Sequence, residues 1–445
     1  MTTSGIRAPQ SFFAEHRDDL RRLFVCLAGA LVVALMTGPP GSGSEPSRGF
    51  RMSLLHARVF GYLLAGLVVW VLYTIYLHFA DQVRGAAAVA TDRTRTLFTP
   101  RPARYSFYVV LLVIAILYPQ TLSGFWQGVL VDQIGIFVLL ALGLNVVVGF
   151  AGLLDLGYAA FFAIGAYTTA YFTGSLPVKP PFDLNPFWTI PLAVAAAMLA
   201  GVLLGAPTLR LRGDYLAIVT LGFGEIIQIT ANNSDHYTNG AQGIFTEPHF
   251  SLNLLGIHYH WKNASLPYYY LLLLFVVLSM VGSRLLEDSR VGRAWTAIRE
   301  DEVAAEATGI NTLKYKIMAF SIGASTSGFA GVLFASKNNS FSPADFALTI
   351  SILVVVLVIF GGMGSVWGVV LGAVILQWFP ALLRKHDIIN PANLFIYYGA
   401  LLVIMMIFRP QGLLPSRRRA REIGLAEHGV GGADALGAPA GSPTG

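Results

Sequence analysis

Two carboxylates lie where a chain this apolar has little reason to place them. Glu225 sits in Leu221-Gly222-Phe223-Gly224-Glu225-Ile226-Ile227-Gln228, and Asp155 in Gly152-Leu153-Leu154-Asp155-Leu156-Gly157. A charge at the centre of a bilayer costs about 2.5–3.5 kcal/mol, so an ionisable residue inside an apolar run is a functional candidate by default. Plainer readings stand beside that one. Glu225 could pair with Arg210 or Arg212, and Asp155 could cap a helix beginning at Leu156. Other chemistry is scarce. His236, His249, His258 and His260 fall in one segment, but only His258-Tyr259-His260 is closely spaced. A metal centre needs converging ligands with a second shell, so a loop surface is expected and no metal. The chain has no GxxxxGK[ST] phosphate loop, nucleophile elbow or metalloprotease helix. Its single cysteine, Cys26, excludes an intrachain disulfide framework and a CxxC site. No enzyme is expected, and no cofactor bound by this chain.

The elements around these residues belong to lipid. Of 445 residues, 55% are hydrophobic and 12% charged, about half the charge of an ordinary soluble domain. Apolar runs long enough to approach a bilayer span lie near 20–37, 59–80, 106–123, 128–150, 155–174, 187–206, 215–231, 267–285, 317–335, 349–361, 366–383 and 394–408. The expected fold class is all-α, a polytopic transmembrane bundle of ten to twelve spans. Residues 1–105 read as an N-terminal extension with two hydrophobic helices and a cytoplasmic linker, 106–415 as the core, and 416–445 as a disordered basic then Gly/Ala/Pro-rich tail. Arg17, Arg21 and Arg22 ahead of Leu23–Met36 could open a signal peptide, but no A-x-A-like site follows, and a retained helix is expected.

The net charge of +6 marks membrane orientation and not nucleic-acid binding. Arginine and lysine gather in 81–105, 284–316 and the tail, which the positive-inside rule places in the cytoplasm. Residues 232–266 hold one such residue, Lys262, and read as external. Arg384 and Lys385 conflict with simple alternation.

Small residues at every fourth position let membrane helices approach closely. Gly323, Ser327 and Gly331 form one stripe, Gly364, Gly368 and Gly372 a second, and Gly201 and Gly205 a third pair. Gly361-Gly362-Met363-Gly364 reads as a bend. Gly149-Phe150-Ala151-Gly152-Leu153-Leu154 is echoed by Gly328-Phe329-Ala330-Gly331-Val332-Leu333, an internal repeat or a coincidence of glycine-rich sequence. Asn145, Phe150, Tyr158 and Phe162 fall in a glycine-interrupted segment whose backbone could line a cavity. With Glu225 they are the candidates for a translocation pathway, and packing roles are the alternative. In 284–316, Val291, Ala294, Trp295 and Ile298 recur at helical spacing, and Arg299, Glu300, Asp301 and Glu302 follow as a solvated run.

Five ordered blocks resemble LivM-type permeases, the membrane subunits of branched-chain amino acid ABC importers. They are Gly143-Leu144-Asn145 through Gly165-Ala166-Tyr167, Leu209-Arg210-Leu211-Arg212-Gly213-Asp214 through Gly224-Glu225-Ile226, Gly292-Arg293-Ala294-Trp295 through Gly309-Ile310, Gly361-Gly362-Met363-Gly364-Ser365, and Arg409-Pro410-Gln411-Gly412-Leu413-Leu414. Together they cover roughly 128 to 415. The resemblance implies an ABC importer permease fold of about ten helices in a bacterial inner membrane. It implies a LivH-type second permease subunit, two cytoplasmic ATPase subunits that use the ATP, and a periplasmic substrate-binding protein. Related permeases carry urea or other small amides and amino acids, and an ion-coupled secondary transporter is the alternative of a different class. Val303-Ala304-Ala305-Glu306-Ala307-Thr308-Gly309 is similar to the EAA-xxx-G coupling motif, with Val303 at its first position. Val303, Ala304, Ala305 and Gly309 are therefore the expected ATPase-coupling residues, and a helix lying on the membrane surface is the alternative.

Overall fold

A computed structural model describes residues 101–208, 214–245, 250–254, 257–261, 265–338, 340–385, 398–403, 405 and 412–414. The two N-terminal apolar runs, the C-terminal tail and most of 394–408 lie outside the described residues. So do Arg210 and Arg212, the proposed partners of Glu225.

The helices follow the apolar runs. They are α1 (Arg101–Leu117), α2 (Gly124–Phe150), α3 (Tyr158–Phe172), α4 (Pro186–Thr208), α5 (Asp214–Asn233), the short α6 (Asp235–Thr238), α7 (Ser265–Asp288), α8 (Arg290–Glu300), α9 (Glu302–Ala307), α10 (Thr312–Lys337), α11 (Leu348–Gly361) and α12 (Val366–Lys385). Within the described residues, α1 and 398–400 belong to one compact unit. Residues from Tyr118 to His386, and from Leu401 on, form another, which holds everything discussed below. Among the described residues, six helical segments are long and apolar enough to cross a membrane: α2, most of α4 and α5, α7, α10, and Pro343–Gly361, which contains α11. The chain is a multi-pass helical membrane protein.

Helix α2 is the axis of the larger unit. Nearly every side chain from Ile134 to Phe150 is buried, and α7, α10, α11 and α12 all pack on it. At about 1.5 Å per residue its 27 residues span roughly 40 Å. It contains two π-helical stretches, Leu130–Gly135 and Asn145–Phe150. By the same measure the 15 residues of α3 reach only about 22 Å, too little for a hydrocarbon core of about 30 Å. The chain between α2 and α3 therefore turns inside the bundle. The Ala159 amide donates to Ser351 Oγ of α11 at 2.9 Å. Ser351 lies roughly 15 Å along its helix from the C-terminal Gly361, so α3 starts near mid-depth.

The glycine stripes are where backbones meet. A methyl on Gly165 of α3 would lie 2.7 Å from Gly328 Cα in α10, and one on Gly331 would lie 2.6 Å from the Ala166 nitrogen. A methyl on Gly323 would lie 2.6 Å from Val147 Cγ2 of α2, and Ser327 donates to the Tyr158 carbonyl at 3.4 Å. Gly361 packs against Gly368 and Gly372, which closes the α11–α12 hairpin. Gly201 approaches Ala324 and Phe320 of α10. The echo of 149–154 in 328–333 does not mark a structural repeat. The first copy runs from the end of α2 into a loop, while the second lies within α10.

The charge pattern sorts the two ends of the larger unit. Arg290, Arg293, Arg299, Lys314 and Lys316 share the α8–α9 end, the end that carries the sequence segment expected to be cytoplasmic. At the other end the chain departs from an all-α fold by two small antiparallel sheets. β1 (Ile244–Phe245) pairs with β4 (Ser340–Phe341), and β2 (Ser251–Leu254) with β3 (Ile257–His260). Three basic residues at that end have partners. Lys337 bonds Asp132, Arg384 bonds Gln133, and Lys385 Nζ lies 5.1 Å from the Trp126 ring centroid. These partners on α2 account for the Arg384 and Lys385 that break charge alternation.

Candidate functional site: a half-length helix and a capped helix pair

The start of α3 is held by side chains from two other helices. Asp155 is fully buried, and its Oδ1 accepts from the Gly157 amide at 2.9 Å. Thr220 Oγ1 of α5 accepts from the Leu156 amide at 3.1 Å, and Ser351 of α11 takes the Ala159 amide. A helix beginning inside a bilayer must have its free amides satisfied by protein, and here side chains take those of the N-cap residue Gly157 and of Ala159, with the Leu156 amide held just ahead of them. Asp155 holds the N-cap amide of a helix that begins at Tyr158 instead of Leu156. Gly157 and Gly224 touch backbone to backbone, with a methyl on Gly224 falling 3.2 Å from Gly157 Cα.

The pathway candidates occupy two environments. Asn145, Phe150, Tyr158 and Phe162 are all buried within this chain. Tyr158 donates from its hydroxyl to the Gly323 carbonyl at 2.9 Å, and Phe162 lies in an aromatic cluster with Phe334 and Phe346. Phe150 is stacked on Trp295 at 6.5 Å, and Asn145 Oδ1 accepts from the Gly364 amide at 2.8 Å. Glu225 differs. It is half-buried, on an α5 face that also presents Ile218, Ile226 and Ile229. Among the described residues it forms no ion pair.

The cytoplasmic element is a rigid platform. Ser289 caps α8, its Oγ accepting from the Val291 and Gly292 amides, and Asp301 caps α9 in the same way. Ala294, Trp295 and Ile298 form a buried face, as their spacing predicts. The Trp295 indole donates to the Tyr315 carbonyl at 2.7 Å, and Lys316 pairs with Glu302 at 2.6 Å. Both bonds fix the element to the start of α10. On α9, Val303 is 57% exposed and Ala304 and Ala307 are exposed beside it. Gly309 follows with φ +88°, a left-handed turn that ends the helix. Ala305 points the other way and is 3% exposed within this chain. The open edge of α9 is therefore Val303, Ala304, Glu306 and Ala307, and a charge at Ala305 would test packing and not docking.

Sequence reasoning missed Arg299, Thr220, Ser351 and the strap at 412–414. The Leu413 amide donates to the Phe360 carbonyl at 2.9 Å and Leu414 to Gly361 at 3.1 Å. The strap closes over the Gly361-Gly362-Met363-Gly364 bend, so the fourth and fifth sequence blocks meet in space.

A central buried helix, a half-length helix starting within the bundle and a capped helix pair at one end define a multi-pass helical membrane protein. The chain belongs to the family described as branched-chain amino acid transport system / permease component, whose profile matches residues 129–408. It is 42% identical over 331 residues to the high-affinity branched-chain amino acid transport system permease protein LivM of Salmonella typhimurium, covering 70% of this chain and 75% of that one. Against LivM of Escherichia coli it is 41% identical over the same shares. LivH of Escherichia coli is 23% identical over 62% of this chain and 91% of its own. No solved structure matches.

Proposed function

We propose that this chain is the membrane-spanning permease subunit of an ATP-driven importer of leucine, isoleucine and valine in a bacterial inner membrane. The observation that carries this reading is the α8–α9 platform, fixed to α10 while presenting an apolar edge at Val303 and Ala304. A pair of cytoplasmic ATPase subunits would dock there, and a periplasmic binding protein would deliver substrate to the sheet-bearing end. Permease relatives bearing the names LivM and LivH both resemble this chain, which supports a LivH-type partner.

The outward face of α5 suits that partner. Exposed faces of α4 and α7 carry Leu199 and Leu203, and Leu274, Leu278, Val281 and Leu285, side chains fit for lipid. The α5 face instead carries the carboxylate of Glu225; it also has an outward glycine, Gly222, as α7 has in Gly282. An intramembrane carboxylate faces protein or a watery cavity, and an outward glycine lets another backbone approach. The route for substrate then runs along α5, with Asn145, Phe150, Tyr158 and Phe162 as the packed wall behind it.

A photoreactive amino acid tests this in the assembled complex. Placed at Ile226, which is 63% exposed, it should cross-link to the second permease. At Leu203, 65% exposed, or Leu285, 69% exposed, it should give lipid adducts only. Permease adducts from α4 or α7, with none from α5, would move the interface elsewhere.

A further inference from the structure

One side chain of the platform reaches past α10 to the centre of the molecule. Arg299, next to last in α8, donates from Nη1 to the Gly149 carbonyl in the last turn of α2. That carbonyl has no acceptor role left within its helix, and a cation at a helix C-terminus also meets the negative end of its dipole. The stem of Arg299 lies over Gly152, where a methyl would come within 2.6 Å of its Cγ. Gly152 has φ +72°, so the chain leaves α2 in a conformation that suits glycine. On its far side Nη1 lies near the α11–α12 bend, 3.5 Å from where a methyl on Gly364 would sit.

The two glycine turns are themselves joined. Asn145, at the start of the π-helical end of α2, holds the Gly364 amide through Oδ1. Gly149 must be small for that bond to form, because a methyl there would lie 2.6 Å from the Gly364 nitrogen. Single-turn π-helical stretches of this kind often sit at functional sites. The end of α2, the turn after it and the α11–α12 bend therefore make one knot, and Arg299 touches all three parts.

We infer that Arg299 is a positioning residue that passes movement of the α8–α9 platform to α2 and to the α11–α12 hairpin. Two further polar ties of the platform, Trp295 to Tyr315 and Glu302 to Lys316, run to the start of α10, and Arg293 donates to the Asp288 carbonyl at the end of α7. Arg299 adds a charge-assisted bond to the central helix, reinforced by the Phe150–Trp295 stack. When the platform shifts, the carbonyl end of α2 shifts with it. The bond is part-buried, with Arg299 itself exposed and Gly149 buried, and it spans two elements, so it can break and re-form during a transport cycle.

This rests on the reading that α8–α9 receives an ATPase. Arg299→Met keeps the stem over Gly152 and removes the cation, while Arg299→Lys keeps the charge and one donor to Gly149. Both variants should assemble with the ATPase subunits and hydrolyse ATP. Substrate moved per ATP in proteoliposomes should fall by roughly tenfold in Arg299→Met and recover to within about threefold of wild type in Arg299→Lys. A merely structural residue would change assembly and leave that ratio alone. A wild-type ratio in Arg299→Met overturns the inference, and so does loss of assembly in that variant, which would make the residue structural. If the wild-type chain itself binds no ATPase, the reading of the platform fails instead.

Discussion

Gly165→Leu is expected to abolish accumulation of folded protein. Gly165 lies where α3 crosses α10 with no room for a side chain, its hypothetical methyl falling among the Gly328 backbone atoms. Gly328 is pressed from its other side by α4, where a methyl would lie 2.6 Å from Ala197 Cβ and 3.1 Å from the Ala193 carbonyl. Three backbones thus meet at one level, and none can yield without moving another. Lipid offers no hydrophobic gain to offset the separation, because lipid chains are as apolar as leucine. Forcing α3 away would also break the Tyr158 bond to Gly323 and the Ser327 bond to the Tyr158 carbonyl. Overpacking typically costs 1–3 kcal/mol and more where backbone must move, so the monodisperse peak in detergent size-exclusion should fall to about a tenth of wild type or less. Gly222→Leu, on the open α5 face, is the control and should leave the peak of the singly expressed chain intact. A normal Gly165→Leu peak would show that α3 and α10 are not in backbone contact.

Val303→Glu is expected to remove the ATPase subunits from the purified complex and leave this chain inserted. Val303 stands more than half exposed at the first turn of α9, outside the buried face that Ala305 occupies. A carboxylate buried in an apolar groove of a partner goes unpaired, and truncation or charge at such a centre commonly costs 2–4 kcal/mol, roughly 30- to 1000-fold in affinity. Co-purification should then be lost at ordinary detergent-stage concentrations. Ala305→Glu is a poorer probe, since Ala305 is buried against this chain and its replacement would unseat α9 whatever the platform does. Full ATPase recovery with Val303→Glu would leave α8–α9 as a helix pair lying on the membrane surface.

Periodicity made the elements legible. Apolar run length anticipated the helices of the described core, though 155–174 gave a helix too short to span, and the Val291, Ala294, Trp295, Ile298 spacing anticipated the inward face of α8. The orientation of α9 was not legible, because six residues with three alanines give no moment to read. Nor was the knot at the base of α2. Its bonds join positions far apart in sequence, such as Asn145 to Gly364 and Arg299 to Gly149, and no local pattern records such a pairing. Arg299 looked like one charge in a solvated run. The signal available was indirect: glycine-rich blocks, each separately unusual, that a tight cluster of turns would require. Asn145, Phe150, Tyr158 and Phe162 were singled out by the same glycine-interrupted segment. Sequence alone could not tell a residue lining a route from one packed behind it.

ATP-dependent uptake by the reconstituted assembly tests the central claim most directly. Proteoliposomes would hold this chain, its second permease and two ATPase subunits, with the binding protein on the delivery side. Labelled leucine should accumulate only with ATP on the α8–α9 side, isoleucine and valine should compete, and urea should not. Uptake of leucine by this chain purified alone, with no ATPase present, would contradict the account, and so would an assembly that moves urea and leaves leucine outside.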